Sequence, residues 1–518
     1  MLVARQKPVI RIMGLAAALG ATPLPGQLAA HSPRADATLA SAIAARHIVE
    51  RGIAALGGQA ALDSVSDMVF SLKGFRTDLG QAMAPNLPYT TELVTHWDLI
   101  EPRSGRFVND VTHDVLGYAP GSTTRLIANR TGTYFVRAGA ASLASYTLVT
   151  FGRPVPAPYR YPAMMLPLVL GRATNLRNLG TSSIEGRKMN VVAYPDAAGT
   201  TYTLSFDAAT GLLTRISWLV DEVQFSPAGA IARELTFSDY RSVGGIKSPF
   251  HHVVTYGGEP FEDLRVTNAT FNTHPGDSLF AVSTSPPSAT AGGGGLEEVS
   301  AIAPDVYFVR ASYNSVFVVF NEYVLVLEAP RNDALTQATI ANIKKTAPGK
   351  PIRYVIPTHW HYDHLGGIRG YIAEGTTVVT TPGIRTAVAH YANTSRALQP
   401  DYLELHPRPL QVETFTDKRV FDDGIHRVEV YNIGPNPHAS DLIVAYIPAA
   451  KTLYEADALD IDDAPSVPPK EVHPTAADFA RKIQALGLDV ETIIPAHGRK
   501  GTIGDLTTLT RAAGAPPR

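Results

Sequence analysis

Among 518 residues there is no cysteine. That absence excludes disulfides, thiolate metal ligands, a cysteine nucleophile and a lipidated N-terminal cysteine. Any metal must therefore be held by nitrogen and oxygen. An excess of charge is lacking as well: 45 Lys and Arg stand against 47 Asp and Glu, for a formal net charge of -2. Such a balance supplies no long-range pull toward nucleic acid or an anionic membrane. A nuclease or DNA-binding chain is usually more basic, so that class loses ground. Beyond the N-terminal segment there is no apolar run of membrane-spanning length, so no membrane span is expected.

What is present is a normal globular balance, 45% hydrophobic and 18% charged, in a chain too long for one ordinary core. Two domains are the default expectation. Arg5, Lys7 and Arg11 precede a short apolar segment, Ile12 to Ala21, which Pro23 and Pro25 close. Small residues follow, with LAA ending at Ala30 and ADA at Ala37. This is the pattern of an export signal, read here as residues 1–30, and it predicts a periplasmic or secreted protein. The run STSPPSATAGGGG, Ser283 to Gly295, cannot pack a core and suits a flexible linker. The expected layout is thus a β-rich domain over 38–282, the linker over 283–295 and a catalytic domain over 296–518.

Before the linker, residues from Thr38 to Gly58 have helical spacing, with Ile43, Ile48 and Ile53 among alanines. The pattern then turns to strands. Tyr202 to Trp218 alternates apolar and polar residues around an Ala-Ala-Thr-Gly turn, and Glu234 to Tyr256 does so around Gly244-Gly245. Both read as hairpins, and Leu264 to Phe271 supplies another strand. One helix followed by a mainly antiparallel sheet is the expectation. ALGGQAALDSVSDMVFSLKG (Ala55 to Gly74) and DYRSVGGIKSP resemble the half-barrel of periplasmic lipoprotein carriers. That resemblance implies a concave sheet face able to shelter a hydrophobic ligand. An accessory, substrate-positioning domain is the other reading. His251 and His252 are adjacent on a strand, so their side chains face opposite ways, one toward the surface and one packed.

The stretch with chemistry is THWHYDHLGG, beginning at Thr358. His359, His361, Asp363 and His364 fall within it, directly after an apolar strand (Tyr354, Val355, Ile356). Imidazole and carboxylate are what zinc and similar borderline metals prefer. In extended backbone, residues two apart point the same way, so His359 and His361 can grip one ion. Asp363 and His364 follow where the chain turns and can reach a second. A two-metal site needs more ligands. Three later positions, each at a strand end, can complete it: His438 in GPNPHASD, Asp457 after TLYEA, and His497 in IIPAHG. Trp360 and Tyr362 alternate away from the ligands and read as packing residues; Asn314 and Ser315 are placed at the rim of the mouth.

With these motifs quoted, residues from Glu297 onward resemble the metallo-β-lactamase fold superfamily. The resemblance implies an αββα sandwich with the metals at one edge. It implies that His359, His361 and His438 hold the first zinc ion, that Asp363, His364 and His497 hold the second, and that Asp457 reaches both. Asp457 replaces the cysteine of some β-lactamases, giving the all-His/Asp type of glyoxalase II, lactonases and one β-lactamase subclass. Glu328 stands where many members carry Asp, so its surroundings are expected to differ. His361 stands where flavodiiron members carry Glu, which argues against iron redox chemistry. The implied activity is hydrolysis by a metal-bridging hydroxide of an ester, lactone, thioester or amide-type bond, β-lactams included. Asp363 would be both ligand and catalytic residue, and the partner a small-molecule substrate. Two other classes stay open: a carrier of a lipid or hydrophobic ligand with an accessory metal domain, and a phosphodiesterase on the same metal site.

Overall fold

The computed structural model describes residues 33–77, 79–85, 89, 91–113, 122–137, 140–143, 157–171, 175–196, 199–221, 229–282, 296–459, 461 and 465–512. The export signal (1–30) and the linker (283–295) lie outside the described residues.

Thirteen strands between Met68 and Phe271 form one antiparallel sheet. Two meanders build it, joined where the first strand, Met68–Thr77, pairs with the last, Glu259–Phe271. Both hairpins expected from the sequence are there: Thr201–Asp207 pairs with Leu213–Val220, and Ile231–Val243 with Ile246–Tyr256. In the latter, Gly244 and Gly245 take positive φ (56° and 83°), a conformation cheap only for glycine. The sheet is longer than the sequence suggests, because the strands between Thr91 and Leu143 lack clean alternation.

One face of this sheet is covered by the chain's own helices. Pro33–Leu56 and Pro162–Gly171 share a buried cluster with Phe206, Leu235, Phe237 and Val254. Gly52 marks the closest approach. A Cβ there would lie 2.7 Å from the Phe206 ring and 3.1 Å from Leu166. The face proposed to shelter an apolar ligand is thus lined by Ala45, Val49, Ile53, Met165 and Leu166. Of the adjacent histidines, His252 is buried, while half-buried His251 meets Asp263 at 2.8 Å.

The second half holds a seven-stranded and a six-stranded sheet in sequential order. The first runs antiparallel from Leu296–Ala303 to Val324–Leu327, then parallel through Ile352–Ile356, Thr377–Thr380 and Gln411–Thr414. The parallel strands are joined by helical segments including Asp333–Thr346 and Pro382–Asn393, the crossovers that parallel pairing requires. Every residue of Ser315–Val319 and Val324–Leu327 is buried, so this sheet is covered on both faces. In the second sheet, alternation decides the layers. Val428, Val430 and Ala445 join the core shared with the first sheet. Tyr431, Val444 and Tyr446 point the other way, to a cluster with Phe479 and Ile483 of the helix Pro474–Leu486. Among the described residues no helix is long and apolar enough to cross a membrane.

The two halves also touch. The Arg396 guanidinium and the Asp221 carboxylate form a buried ion pair, and the segment 79–85 of the first half reaches the histidine motif of the second.

Candidate metal centre

The apolar strand Ile352–Ile356 delivers Thr358, His359 and His361 beyond its end, and a short helix, Tyr362–Leu365, carries Asp363 and His364. His438 sits in the loop before the strand Ile443–Ile447. Asp457 follows the strand Thr452–Glu455, and His497 follows Thr492–Pro495. The ligand-bearing loops thus emerge from strand ends of both sheets.

These seven side chains form two groups. His359, His361, His438 and Asp457 make one; Asp363, His364, His497 and Asp457 make the other. In each, one potential ligand atom per residue lies within 4.8 Å of every other. Asp457 is central to both. Its Oδ2 is 2.9 Å from His364 Nε2, 3.1 Å from His438 Nε2 and 3.5 Å from His359 Nε2, and its Oδ1 is 2.9 Å from His497 Nε2. Asp457 sits at φ 60° and Glu328 at φ 85°, left-handed backbone that non-glycine residues adopt at a cost. Such conformations persist where the surroundings over-determine them, often at functional sites.

Ring nitrogens face one another with little between them: His438 Nε2 lies 3.3 Å from His359 Nε2, and His497 Nε2 lies 3.3 Å from His364 Nε2. Two lone pairs at that distance repel unless a proton or a cation intervenes. His361 Nδ1 is buried with no hydrogen-bond partner. Convergent imidazoles, an orphaned ring nitrogen and shared carboxylates fit divalent zinc-type ions and leave no sulfur donor to satisfy.

Electrostatics of the chain itself divide the imidazoles. Burial, and next the neighbouring His364, push His359 down to about 3, so it is a neutral donor. His361 is held well below its ordinary value by burial and by His359 and His438. Burial opposes a charged His364, but Asp457, Asp363 and Glu328 outweigh it and raise that imidazole well above its ordinary value. Burial likewise opposes the Asp457 charge, and His364 and His497 overcome it, holding the carboxyl well below the usual range.

Glu328 has a definite place. Its Oε2 accepts from Thr358 Oγ1 at 2.6 Å and meets His364 Nδ1 at 3.0 Å. With Nδ1 donating to Glu328, His364 presents Nε2 to the site, the carboxylate–histidine arrangement that orients metal ligands. The longer Glu328 thus reaches both Thr358 and His364 from the position where an Asp is the expectation.

Asn314 is not at the mouth. It is buried, and its Nδ2 donates to Pro495 O (3.0 Å) and Gly498 O (2.8 Å), clamping the turn that carries His497. Ser315 is buried in a strand, and Trp360 and Tyr362 are buried too. Sequence reasoning missed Tyr313, whose ring meets His497 edge-on at 4.8 Å. It also missed Gln81, whose Nε2 donates to Asp363 Oδ1 at 2.8 Å. No local pattern marks Gln81; only folding brings it across 282 positions.

Comparison with known proteins agrees with this geometry. Residues 314–497 match the family model of the Metallo-beta-lactamase superfamily. A metallo-beta-lactamase type 2 from Bacteroides fragilis is 27% identical over 194 residues, 36% of this chain and 70% of that protein. Among solved structures, a metallo-beta-lactamase from Pontibacter korlensis is 22% identical with a TM-score of 0.32, covering 41% of this chain and 95% of its own. The metallo-beta-lactamase FIM-1 from Pseudomonas aeruginosa is 16% identical with a TM-score of 0.31, covering 41% and 92%. The C-terminal region, residues 314–497, is thus similar to the metallo-β-lactamase superfamily, and all seven converging His and Asp side chains lie within it.

Proposed function

We propose that this protein is an exported, two-zinc hydrolase of carbonyl bonds in small molecules: esters, lactones, thioesters or amides, β-lactams among them. The observation that carries this reading is the pair of His/Asp groups sharing Asp457, inside the region that matches a superfamily of hydrolases. His359, His361 and His438 would hold one ion, Asp363, His364 and His497 the other, and Asp457 both. The layers described above are read as the αββα sandwich of that superfamily, with residues 38–282 as a separate domain and 283–295 as the linker. Export rests on the sequence pattern of residues 1–30.

Bound between these side chains, two divalent ions would supply Lewis acidity and lower the pKa of a water. The chain's own residues do the rest. Asp363 is held by Gln81 through Oδ1, while its Oδ2 lies 3.7 Å from both His364 Nε2 and His497 Nε2. Oδ2 is therefore the Asp363 oxygen that faces the site, where it would serve as ligand and as hydrogen-bond acceptor orienting the attacking water. His359, His361 and His364 are buried, whereas the His497 side chain is 31% exposed, so substrate approaches from the His497 side. Tyr313, edge-on to His497, walls that approach. Bond class is decided by such flanking groups rather than by the ligand set.

The test is metal analysis of the purified full chain together with a hydrolysis panel of lactones, thioesters, β-lactams, carboxyl esters and bis-p-nitrophenyl phosphate. Expected are about two zinc per chain and turnover of at least one carbonyl substrate that a chelator abolishes. Turnover confined to the phosphodiester would reject the bond class. Chelator-insensitive turnover without bound zinc would reject the metal reading.

A further inference from the structure

The strands Met68–Thr77 and Thr91–Glu101 pair as a hairpin in the first sheet, yet their connection does not stay there. Its residues 79–83 cross to the second half and lie along the histidine motif. Main-chain hydrogen bonds pin both ends: Tyr362 N donates to Gly80 O (3.1 Å) and Ser440 N to Met83 O (2.8 Å). Ala82 is buried in the core of the second half, whereas Leu79, three residues earlier, is buried in that of the first.

Between those anchors the strap meets a residue of each metal group. The Ala82 carbonyl accepts from Trp360 Nε1 at 2.9 Å and from His361 Nε2 at 3.0 Å. A carbonyl only accepts, so the His361 proton sits on Nε2 and the lone pair on Nδ1, the buried nitrogen that has no hydrogen-bond partner. Gln81 Nε2 donates to Asp363 Oδ1, which leaves Oδ2 turned toward His364 and His497. One stretch of backbone thus sets the donor atom of His361 and the rotation of the Asp363 carboxylate.

We propose that the β-rich half is a structural part of the metal centre, with Gln81 as a positioning residue for Asp363 and the Ala82 carbonyl as the group that orients His361. The inference rests on the ligand assignment proposed above. The alternative is a strap that only packs the two halves together. The two differ in what loss of the Gln81 donor does. Outer hydrogen-bond partners of metal ligands typically govern affinity or activity by about 10- to 100-fold. A residue that merely packs alters stability instead.

Gln81→Met keeps the length and bulk of the side chain and removes its N–H donors. The full-length wild type and this variant are stripped of metal, then titrated with zinc against a chromophoric chelator. Cobalt(II) spectra and melting of the metal-free chains are recorded in parallel. The expected result is one ion held about 10- to 100-fold more weakly in the variant. A changed cobalt spectrum should accompany it, and the metal-free melting temperature should stay the same. Two ions held as tightly as in the wild type, with an unchanged spectrum, would overturn the positioning role while leaving the ligand assignment intact. Weaker binding of both ions with an equal fall in metal-free melting temperature would also overturn it, in favour of packing. A wild-type chain that takes up no zinc would overturn the ligand assignment and, with it, this inference.

Discussion

Each half of the molecule buries a cluster of histidines and carboxylates, and the two clusters are built on opposite plans. In the second half, seven His and Asp side chains aim ring nitrogens and carboxylate oxygens at shared points, with ring nitrogens 3.3 Å apart and Asp457 between His364 and His497. In the first half, His96, Asp98, Arg160, Tyr161, His252 and Glu262 are all buried against the sheet. There a guanidinium is buried together with the carboxylates. Arg160 Nη2 donates to Glu262 Oε2 at 2.9 Å, Tyr161 donates its hydroxyl proton to Asp98, and Asn109 Nδ2 donates to Asp98 Oδ1 at 2.5 Å. Tyr161 stacks on Phe70 at 4.4 Å and meets His252 edge-on at 5.9 Å. Burial of ionisable groups therefore does not by itself identify a reactive site. A cluster held by a guanidinium and direct hydrogen bonds is a structural network, while one in which several imidazole nitrogens converge on a shared carboxylate could hold a metal ion.

The sharpest break between the two is expected from ligand removal. His359→Ala or Asp363→Ala should lower turnover on the order of a thousandfold, equivalent to about 4 kcal/mol of transition-state stabilisation. The circular dichroism of the metal-free chain should be unchanged. Wild-type turnover in either variant would remove these residues from the centre.

The reverse pattern is expected in the first half. Arg160→Met leaves Glu262 buried without its cation, which typically costs about 3–5 kcal/mol. Melting should show that loss in the β-rich domain, with zinc content close to wild type. An unaltered melting curve would mean the pair is already solvated.

A more gradual effect is expected from pH. Burial works against a charged Glu262, but Arg160 and His96 outweigh it and hold the carboxyl at about 2, below its ordinary 4.5. Burial, with Arg160 adding to it, lowers His252 from 6.5 to about 3. Both groups bind fewer protons folded than unfolded, so stability rises with pH across these ranges. Their contribution is complete above about pH 6.5 and is lost progressively as pH falls, through 6.5 to 3 for His252 and 4.5 to 2 for Glu262. Denaturation curves of the metal-free chain at pH 7, 5 and 4 should show this decline. A flat profile would contradict the buried pairing.

How legible each half was follows from the same contrast. The metal-type residues cluster within THWHYDHLGG and recur at strand ends, because ligands must be particular residue types at loops that strands can aim. Alternation around Ala-Ala-Thr-Gly and around Gly244-Gly245 made two hairpins visible. The strands between Thr91 and Leu143 were harder to read. Their buried faces carry polar residues such as His96, Asp98 and Asn109, which break the apolar period. Asn314 illustrates the limit of local reading: its position between strands suggested an exposed rim, but its amide clamps the turn of His497 from inside.

By itself the sequence determined the donor set: the absence of cysteine, the seven His and Asp positions, and hence the oxygen and nitrogen chemistry available to a metal. Those are properties of residue type and short-range spacing, which survive without any knowledge of distant contacts. Tertiary structure alone decided which nitrogen two of these imidazoles turn to the site. Glu328 directs His364 to present Nε2, and the Ala82 carbonyl leaves His361 with Nδ1. It alone brought Gln81 to Asp363 from a connection between two strands of the first half. A hydrogen bond fixes a tautomer only when its partner is in place, and these two partners lie 36 and 279 positions away along the chain.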